Sequence, residues 1–300
     1  MKDVEDVRAE MRQTVRAAGL EGFMHARDLA ADREVGCCDT TVCATASVGK
    51  VSILVSLMQA VAAGEVDLAE RVHVADAPRT GGPSGLSVLP DPVDLSLRAV
   101  AHLMMTVSDN HATDIILDRL TPERVTGTMR SLGLQVTTLD GTVRDLYARS
   151  HQRMQGVTDG DDALRRMRSD PDLNPATAAW RTTPAEITQL LQYIWRDQAA
   201  PPALCAEMRS IMRQCTASHG LVSGFPAPLQ DSFARKTGTL TGIRNEVGVV
   251  DYPDGGPYAV AVFTLADVAD WKGLDPHASI AIGRAARLMV DYLRTAGGCA

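Results

Sequence analysis

The sequence predicts an α+β fold: one mostly antiparallel, five-stranded sheet built from the two ends of the chain, flanked by helices, with an all-helical domain inserted between its halves. Three observations predict it. Helical periodicity opens and closes the chain, strand-like alternation lies just inside both ends, and the periodicity between them is helical. On that pattern the sheet region takes residues 1–45 and 216–300, the helical region takes residues 46–215, and the two form one compact unit.

Taken in order, apolar residues recur at helical spacing from about Val4 to Ala18. Gly22–Leu29 and Thr40–Thr45 are short and strand-like. Ser47 to Ala63 reads as a helix closed by Gly64; it is apolar nearly all round and is expected to be buried on most sides. Residues 75–93 are rich in Gly and Pro and are expected to form a loop. Helical pattern resumes over Ser96–Thr106 and His111–Leu120, and Thr121-Pro122 starts a further helix, threonine as N-cap and proline at the first position. Residues 156–182 are polar and aperiodic, which predicts a long irregular loop. Thr183-Pro184-Ala185-Glu186 reads as a capping box that opens a helix to about Trp195, and another helix covers about Ala203 to Cys215. Strands follow at Phe233–Thr239, Asn245–Asp251 and Tyr258–Leu265, the last two joined by a YPDGGP turn. Asp275-Pro276 then caps a final helix to about Arg294.

Composition narrows the function classes. A net charge of −7 with scattered arginines and no block of like charge argues against nucleic acid as a partner, because nothing would neutralise phosphates over an extended face. The longest apolar stretch, Val51 to Ala63, is too short to span a bilayer, and the charged amino terminus has no signal-peptide core, so a soluble, cytoplasmic protein with no membrane partner is expected. Six cysteines, Cys37, Cys38, Cys43, Cys205, Cys215 and Cys299, match no zinc spacing, and the adjacent pair is awkward for a disulfide framework. Reduced thiols are the expectation, with no metal and no cofactor.

Three short motifs carry chemistry. Ser47-Val48-Gly49-Lys50 puts a hydroxyl and an amine one helical turn apart at the amino end of a helix, where the dipole favours a developing negative charge. Serine is a poor nucleophile without a base, and lysine is one only if burial or a neighbouring cation, here Lys236, lowers its pKa. Ser108-Asp109-Asn110 lies between two helices and supplies a second hydroxyl and a carboxamide. Lys236-Thr237-Gly238 lies on a strand, where the glycine is expected to let a substrate backbone approach closely. The chain has only four lysines and three asparagines, so composition makes this ordered triple a rare coincidence.

Together these motifs resemble the serine–lysine, SDN and KTG set of β-lactamases and penicillin-binding proteins, in that order. The likeness to class A β-lactamases extends further: ATASVGKVSILVSLMQAVAAGEVDL is similar to the family's nucleophile helix, LMMTVSDNHATDIILDRL to its SDN region, RTTPAEITQLL to the segment after its omega loop, and RKTGTLTGIRNEVGVV to its KTG strand and the next. The resemblance covers about residues 20–295. It implies an acyl-enzyme at Ser47, with Lys50 as proton acceptor and Ser108 passing a proton to the leaving nitrogen. It also implies that Asn110 holds the substrate's side-chain amide, that Lys236 and Thr237 bind a substrate carboxylate with help from Arg244, and that the N–H groups of Ser47 and Thr239 form the oxyanion hole. The implied partner is a small-molecule substrate carrying a carboxylate.

One part of the class A pattern is missing. Its Glu-x-x-x-Asn, whose glutamate activates the deacylating water, has as nearest counterpart Asp170-Pro171-Asp172-Leu173-Asn174. Asp170 is one methylene shorter, and a general base must come within about 3 Å of its water, so deacylation is expected to be impaired. A turn initiator on a solvated loop is the blander reading of Asp170-Pro171. Three functions therefore stand: an enzyme opening a β-lactam, a cytoplasmic esterase or amidase acting on a metabolite, and a ligand-binding homologue whose serine never acylates.

Overall fold

The computed structural model describes residues 3–174, 177–217, 220–270 and 276–296; Asp275 and Cys299 lie outside them. The chain opens with α1 (Val4–Arg16), β1 (Glu21–Asp28) and β2 (Glu34–Cys37), then a two-residue strand β3 (Cys43–Ala44) and α2 (Lys50–Ala62). A ribbon of β4 (Arg71–Val74) and β5 (Val93–Ser96) brackets the Gly/Pro loop and leads to α3 (Leu97–Thr106), α4 (Asn110–Leu120) and α5 (Pro122–Ser131). Next come β6 (Thr138–Leu139), α6 (Val143–Met154), α7 (Gly160–Arg168), β7 (Trp180–Thr182), α8 (Pro184–Trp195) and α9 (Pro202–Arg213). A short α10 (Ala227–Gln230), the strands β8 (Phe233–Leu240), β9 (Ile243–Asp251) and β10 (Pro257–Leu265), and α11 (Pro276–Ala296) finish the chain.

The predicted α+β class holds. Among the described residues the main sheet has five strands in the order β2-β1-β10-β9-β8, every neighbour antiparallel. The strands β1, β8, β9 and β10 send side chains into two cores, as the two-residue period of a strand buried on both faces demands, while β2 at the edge reaches only one. In β10, Ala259, Ala261 and Phe263 join the core shared with the helices of the middle region, while Tyr258, Val260 and Val262 join the core under α1 and α11. Helix α1 is amphipathic, and its Val7, Met11 and Val15 face that second core with Met289 and Leu293 of α11.

Three local expectations are corrected, and one further helix is added. The second amino-terminal strand of the main sheet is Glu34–Cys37, not Thr40–Thr45; of the latter only Cys43–Ala44 is a strand, and it pairs with β7 in a small separate sheet. Residues 156–182 are not one loop, since α7 and β7 lie within them. Helix α7 buries no side chain, so it has no apolar period to read, and it is started instead by Asp159, which accepts the Asp162 N–H. Helix α6, opened by a reciprocal capping box between Thr142 and Asp145, buries only Val143 and was invisible for the same reason. At α8 the Thr183 side chain caps as expected, but Glu186 does not reach back; its carboxylate takes the N–H groups of Val136 and Thr137 and the Thr137 hydroxyl. Two backbone donors and a hydroxyl for one charged group outweigh the single N-cap donor. No helix among the described residues is long and apolar enough to cross a membrane.

Candidate active site

The segment that carries Ser47 is a tight turn clamped from three sides. Ala46 has φ of +48°, in the left-handed region, and residues Ala46–Gly49 make a single 3₁₀ turn that runs into α2. Behind it, the Thr45 N–H donates to the Trp180 carbonyl at 2.9 Å, and Asn245 donates to the Ala44 carbonyl at 2.8 Å while accepting the Thr264 N–H at 3.1 Å. Asn245 thus ties β9 and β10 to the chain just before Ser47. Gly238 completes the clamp: a Cβ there would lie 2.5 Å from the Thr45 carbonyl oxygen and 3.1 Å from the Val48 nitrogen. The close approach that this glycine permits here is by the Ser47 turn itself, where the sequence suggested a substrate backbone.

Lys50 is 1% exposed, although it stands in the first turn of α2. Its Nζ donates to the Ser108 carbonyl at 2.7 Å and to Asn110 Oδ1 at 2.8 Å, and lies 3.2 Å from Ser108 Oγ. Ser108 itself has φ of +59°, which turns the SDN segment's carbonyl and side chain toward the amine. Burial drives the Lys50 pKa well below the ordinary lysine value, and the charge of Lys236 drives it further, against the opposing pull of Asp109 and Asp114. A neutral amine has two N–H donors and one lone pair; the two short contacts use the donors, and the lone pair is left for a hydroxyl proton.

Asp109, the middle residue of SDN, is fully buried and structural. It caps α4 by accepting the N–H groups of His111 and Ala112, and it also takes the Leu86 N–H and the Ser87 hydroxyl, so it fastens the loop before α3 to the site. His111 Nδ1 accepts the Thr80 N–H at 3.1 Å, a supporting position one layer behind Asn110.

A cleft with about 180 Å³ of internal space runs along the turn. Ser47, Lys50, Asn110, Asp170 and Thr239 stand in its wall, five of the nine residues singled out from sequence. Ser108 is reached through Lys50. Lys236, Thr237 and Arg244 lie on β8 and β9 beside the cleft but do not form its wall, and Lys236 is fully buried with its Nζ donating to the Thr237 carbonyl at 3.0 Å. Burial lowers the Lys236 pKa to about 8. Among the described residues no group of three His, Cys, Asp or Glu side chains is arranged to hold a metal ion.

Residues 6–293 match the sequence model of the beta-lactamase enzyme family. The chain belongs to that family. It is 29% identical to a beta-lactamase regulatory protein, BlaB, of Streptomyces cacaoi, over 98% of this chain and 99% of the relative. Similar solved structures include a beta-lactamase from Sphaerobacter thermophilus (TM-score 0.77, 22% identity, 98% of this chain and 99% of that one). Others are PBP-A (TM-score 0.75, 22% identity, 97% and 96%) and an ancestral class A beta-lactamase (TM-score 0.76, 21% identity, 95% and 99%). These likenesses show the fold, and the family supports serine-hydrolase activity in general terms.

As a beta-lactamase family member, the chain has two features that sequence reasoning missed. The first is the set of side chains that α6 brings to the cleft, namely Val143, Leu146, Tyr147 and Arg153. Arg153 donates to Asp170 Oδ1 at 2.5 Å and to Asp172 Oδ2 at 2.9 and 3.0 Å, so the two carboxylates of the cleft wall share one guanidinium. Asp170 Oδ1 also accepts the Asp172 N–H at 2.9 Å. The second is Glu246, buried opposite Thr237 on β9. Its Oε2 accepts the Leu221 N–H at 2.8 Å, and desolvation raises its pKa to about 7 against the pull of Arg235, Arg244 and Lys236. The signal available for α6 was its Thr142–Asp145 cap; for Glu246 there was none, since NEVGVV reads as an ordinary strand.

Proposed function

We propose that the chain opens a β-lactam, or a related amide or ester, through an acyl-enzyme at Ser47. Neutral Lys50 takes the Ser47 proton as the hydroxyl oxygen attacks the carbonyl carbon. The oxyanion that forms is held by the N–H groups of Ser47 and Thr239, and Ser108 returns a proton to the leaving nitrogen as the ring bond breaks. The observation that carries this reading is the buried, hydrogen-bonded Lys50 beside Ser108 in the cleft that also holds Ser47. A structural lysine has no reason to be stripped of water in a cleft wall next to a serine. Lys236, Thr237 and Arg244 would meet the substrate carboxylate once the edge of β8 is engaged. Intact-protein mass spectrometry after incubation with a penicillin, a cephalosporin and an activated ester tests the proposal, the expected result being one acyl group per chain.

Turnover is expected to be limited by deacylation. Acylation draws on Ser47, Lys50 and Ser108, whereas breakdown of the ester needs a base for its water, and Asp170 has a short side chain already held by Arg153. The expected signature is a product burst followed by a slow steady state. Asp170→Asn should lower the steady-state rate by about tenfold or more and leave the burst intact, within the range a positioned base contributes. An unchanged steady state would show that Asp170 only pairs with Arg153.

A second reading is a ligand-binding protein whose serine does not turn over, and the relative named as a beta-lactamase regulatory protein favours it. The mass spectrum separates the two: a covalent adduct supports the acyl-enzyme reading, and reversible binding without adduct supports a binder whose serine never acylates. The cysteine content supports a reducing, cytoplasmic setting, since the five described cysteines are all free thiols. Thiol counting on denatured protein should return six, and four would point to an oxidising compartment.

A further inference from the structure

Both donor protons of the Asn110 side chain are already committed. Its Oδ1 accepts from Lys50 at 2.8 Å, and its amide nitrogen donates one proton to the Gly81 carbonyl and the other to the Tyr147 phenol oxygen, each at 3.0 Å. A carboxamide has two donor protons, so a substrate carbonyl gains one only by displacing a present partner. The Gly81 carbonyl can move only with the backbone of its loop, whereas a side chain can turn about its own bonds. Tyr147 stands on α6 with 47% of its surface exposed and is the partner free to move. Its ring shares the cleft wall with the apolar side chains of Val143, Leu146, Trp180 and Leu240, while Arg153, the guanidinium in that wall, is held by Asp170 and Asp172.

We propose that Tyr147 is a specificity-determining residue, whose phenol oxygen competes for the Asn110 proton that a substrate's acylamido carbonyl would take, and that the preferred acyl group is neutral and apolar, lying against the Tyr147 ring. The inference rests on the covalent reading above and names the substrate class for that site. A neutral aromatic or branched aliphatic acyl chain gains contact with the ring and the aliphatic wall when its amide displaces the phenol. A carboxylated acyl chain would have to draw Arg153 away from Asp170 and Asp172, and Asp170 would then lose the guanidinium that holds it.

The test compares acylation rate constants for two penicillins. One carries a phenylacetamido side chain; the other, 6-aminopenicillanic acid, has no acylamide. Tyr147→Phe keeps the ring and removes the competing oxygen, so acylation by the phenylacetamido compound should rise about threefold to tenfold, the span of one neutral hydrogen bond, while 6-aminopenicillanic acid is unaffected. Tyr147→Ala also frees Asn110 but loses the ring contact, and its gain should be smaller. Wild type should react more slowly with a penicillin bearing a carboxylated phenylacetamido group than with the neutral one. Equal effects of Tyr147→Phe on both substrates, no effect, or a slower reaction with the phenylacetamido compound would overturn the role of Tyr147 while leaving the acyl-enzyme reading intact. Wild-type protein that neither penicillin acylates would overturn that reading and this inference with it.

Discussion

Ser47→Ala protein should carry no covalent adduct under conditions in which wild type is fully labelled. The expectation is absolute because the nucleophile's position depends on a turn no other hydroxyl shares: Ala46 in a left-handed conformation, a 3₁₀ turn into α2, and Gly238 and Asn245 bracing the chain behind it. Alanine adds no bulk and removes only the oxygen, so the fold should be preserved and the loss attributable to chemistry. Three other hydroxyls, those of Tyr147, Ser150 and Thr239, stand in the cleft wall. An adduct that survives in Ser47→Ala and maps by peptide analysis to any of them would refute the assignment of the nucleophile.

Lys50→Ala should slow acylation by about two to four orders of magnitude, the contribution of a positioned base, with the circular dichroism spectrum unchanged. The pH profile gives an independent check. Lys50 acts as a base only when neutral, so the rate should fall as pH drops through its lowered pKa. Lys236 loses its proton as pH rises through about 8, which removes its charge from beside Lys50 and from any substrate carboxylate, so the rate should fall again on the alkaline side. The result is a bell. Because the Lys236 charge helps depress the Lys50 pKa, Lys236→Ala should move the acid limb to higher pH. An acid limb that stays in place would mean that burial alone sets the Lys50 pKa.

Much of the fold and the reacting groups could be read along the chain, because the signals were local and strong. The helix from Ser47 to Gly64 is apolar nearly all round, the strands near the carboxyl terminus alternate, and Thr121-Pro122 and Thr183-Pro184 announce helix starts. Elements that bury little were lost. Helix α6 buries only Val143 and α7 buries nothing, and it is α6 that supplies Tyr147 and Arg153 to the cleft. The strand β2 was displaced to Thr40–Thr45 because a four-residue edge strand carries less pattern than the apolar run that follows it.

From sequence alone, then, came the α+β class and the candidate set Ser47, Lys50, Ser108, Asn110 and Lys236, since helical period and motif spacing survive without a partner. Only the tertiary structure decided what those groups face. It buried Lys50 against Ser108 and Asn110, filled the space over Gly238 with the nucleophile turn, tied Asp170 to Arg153, and set Tyr147 on Asn110. Each of these is a contact between residues far apart in the chain, and each depends on desolvation and on which donor reaches an acceptor first. Neither property is written in local periodicity, because both arise only when segments distant in the chain pack together.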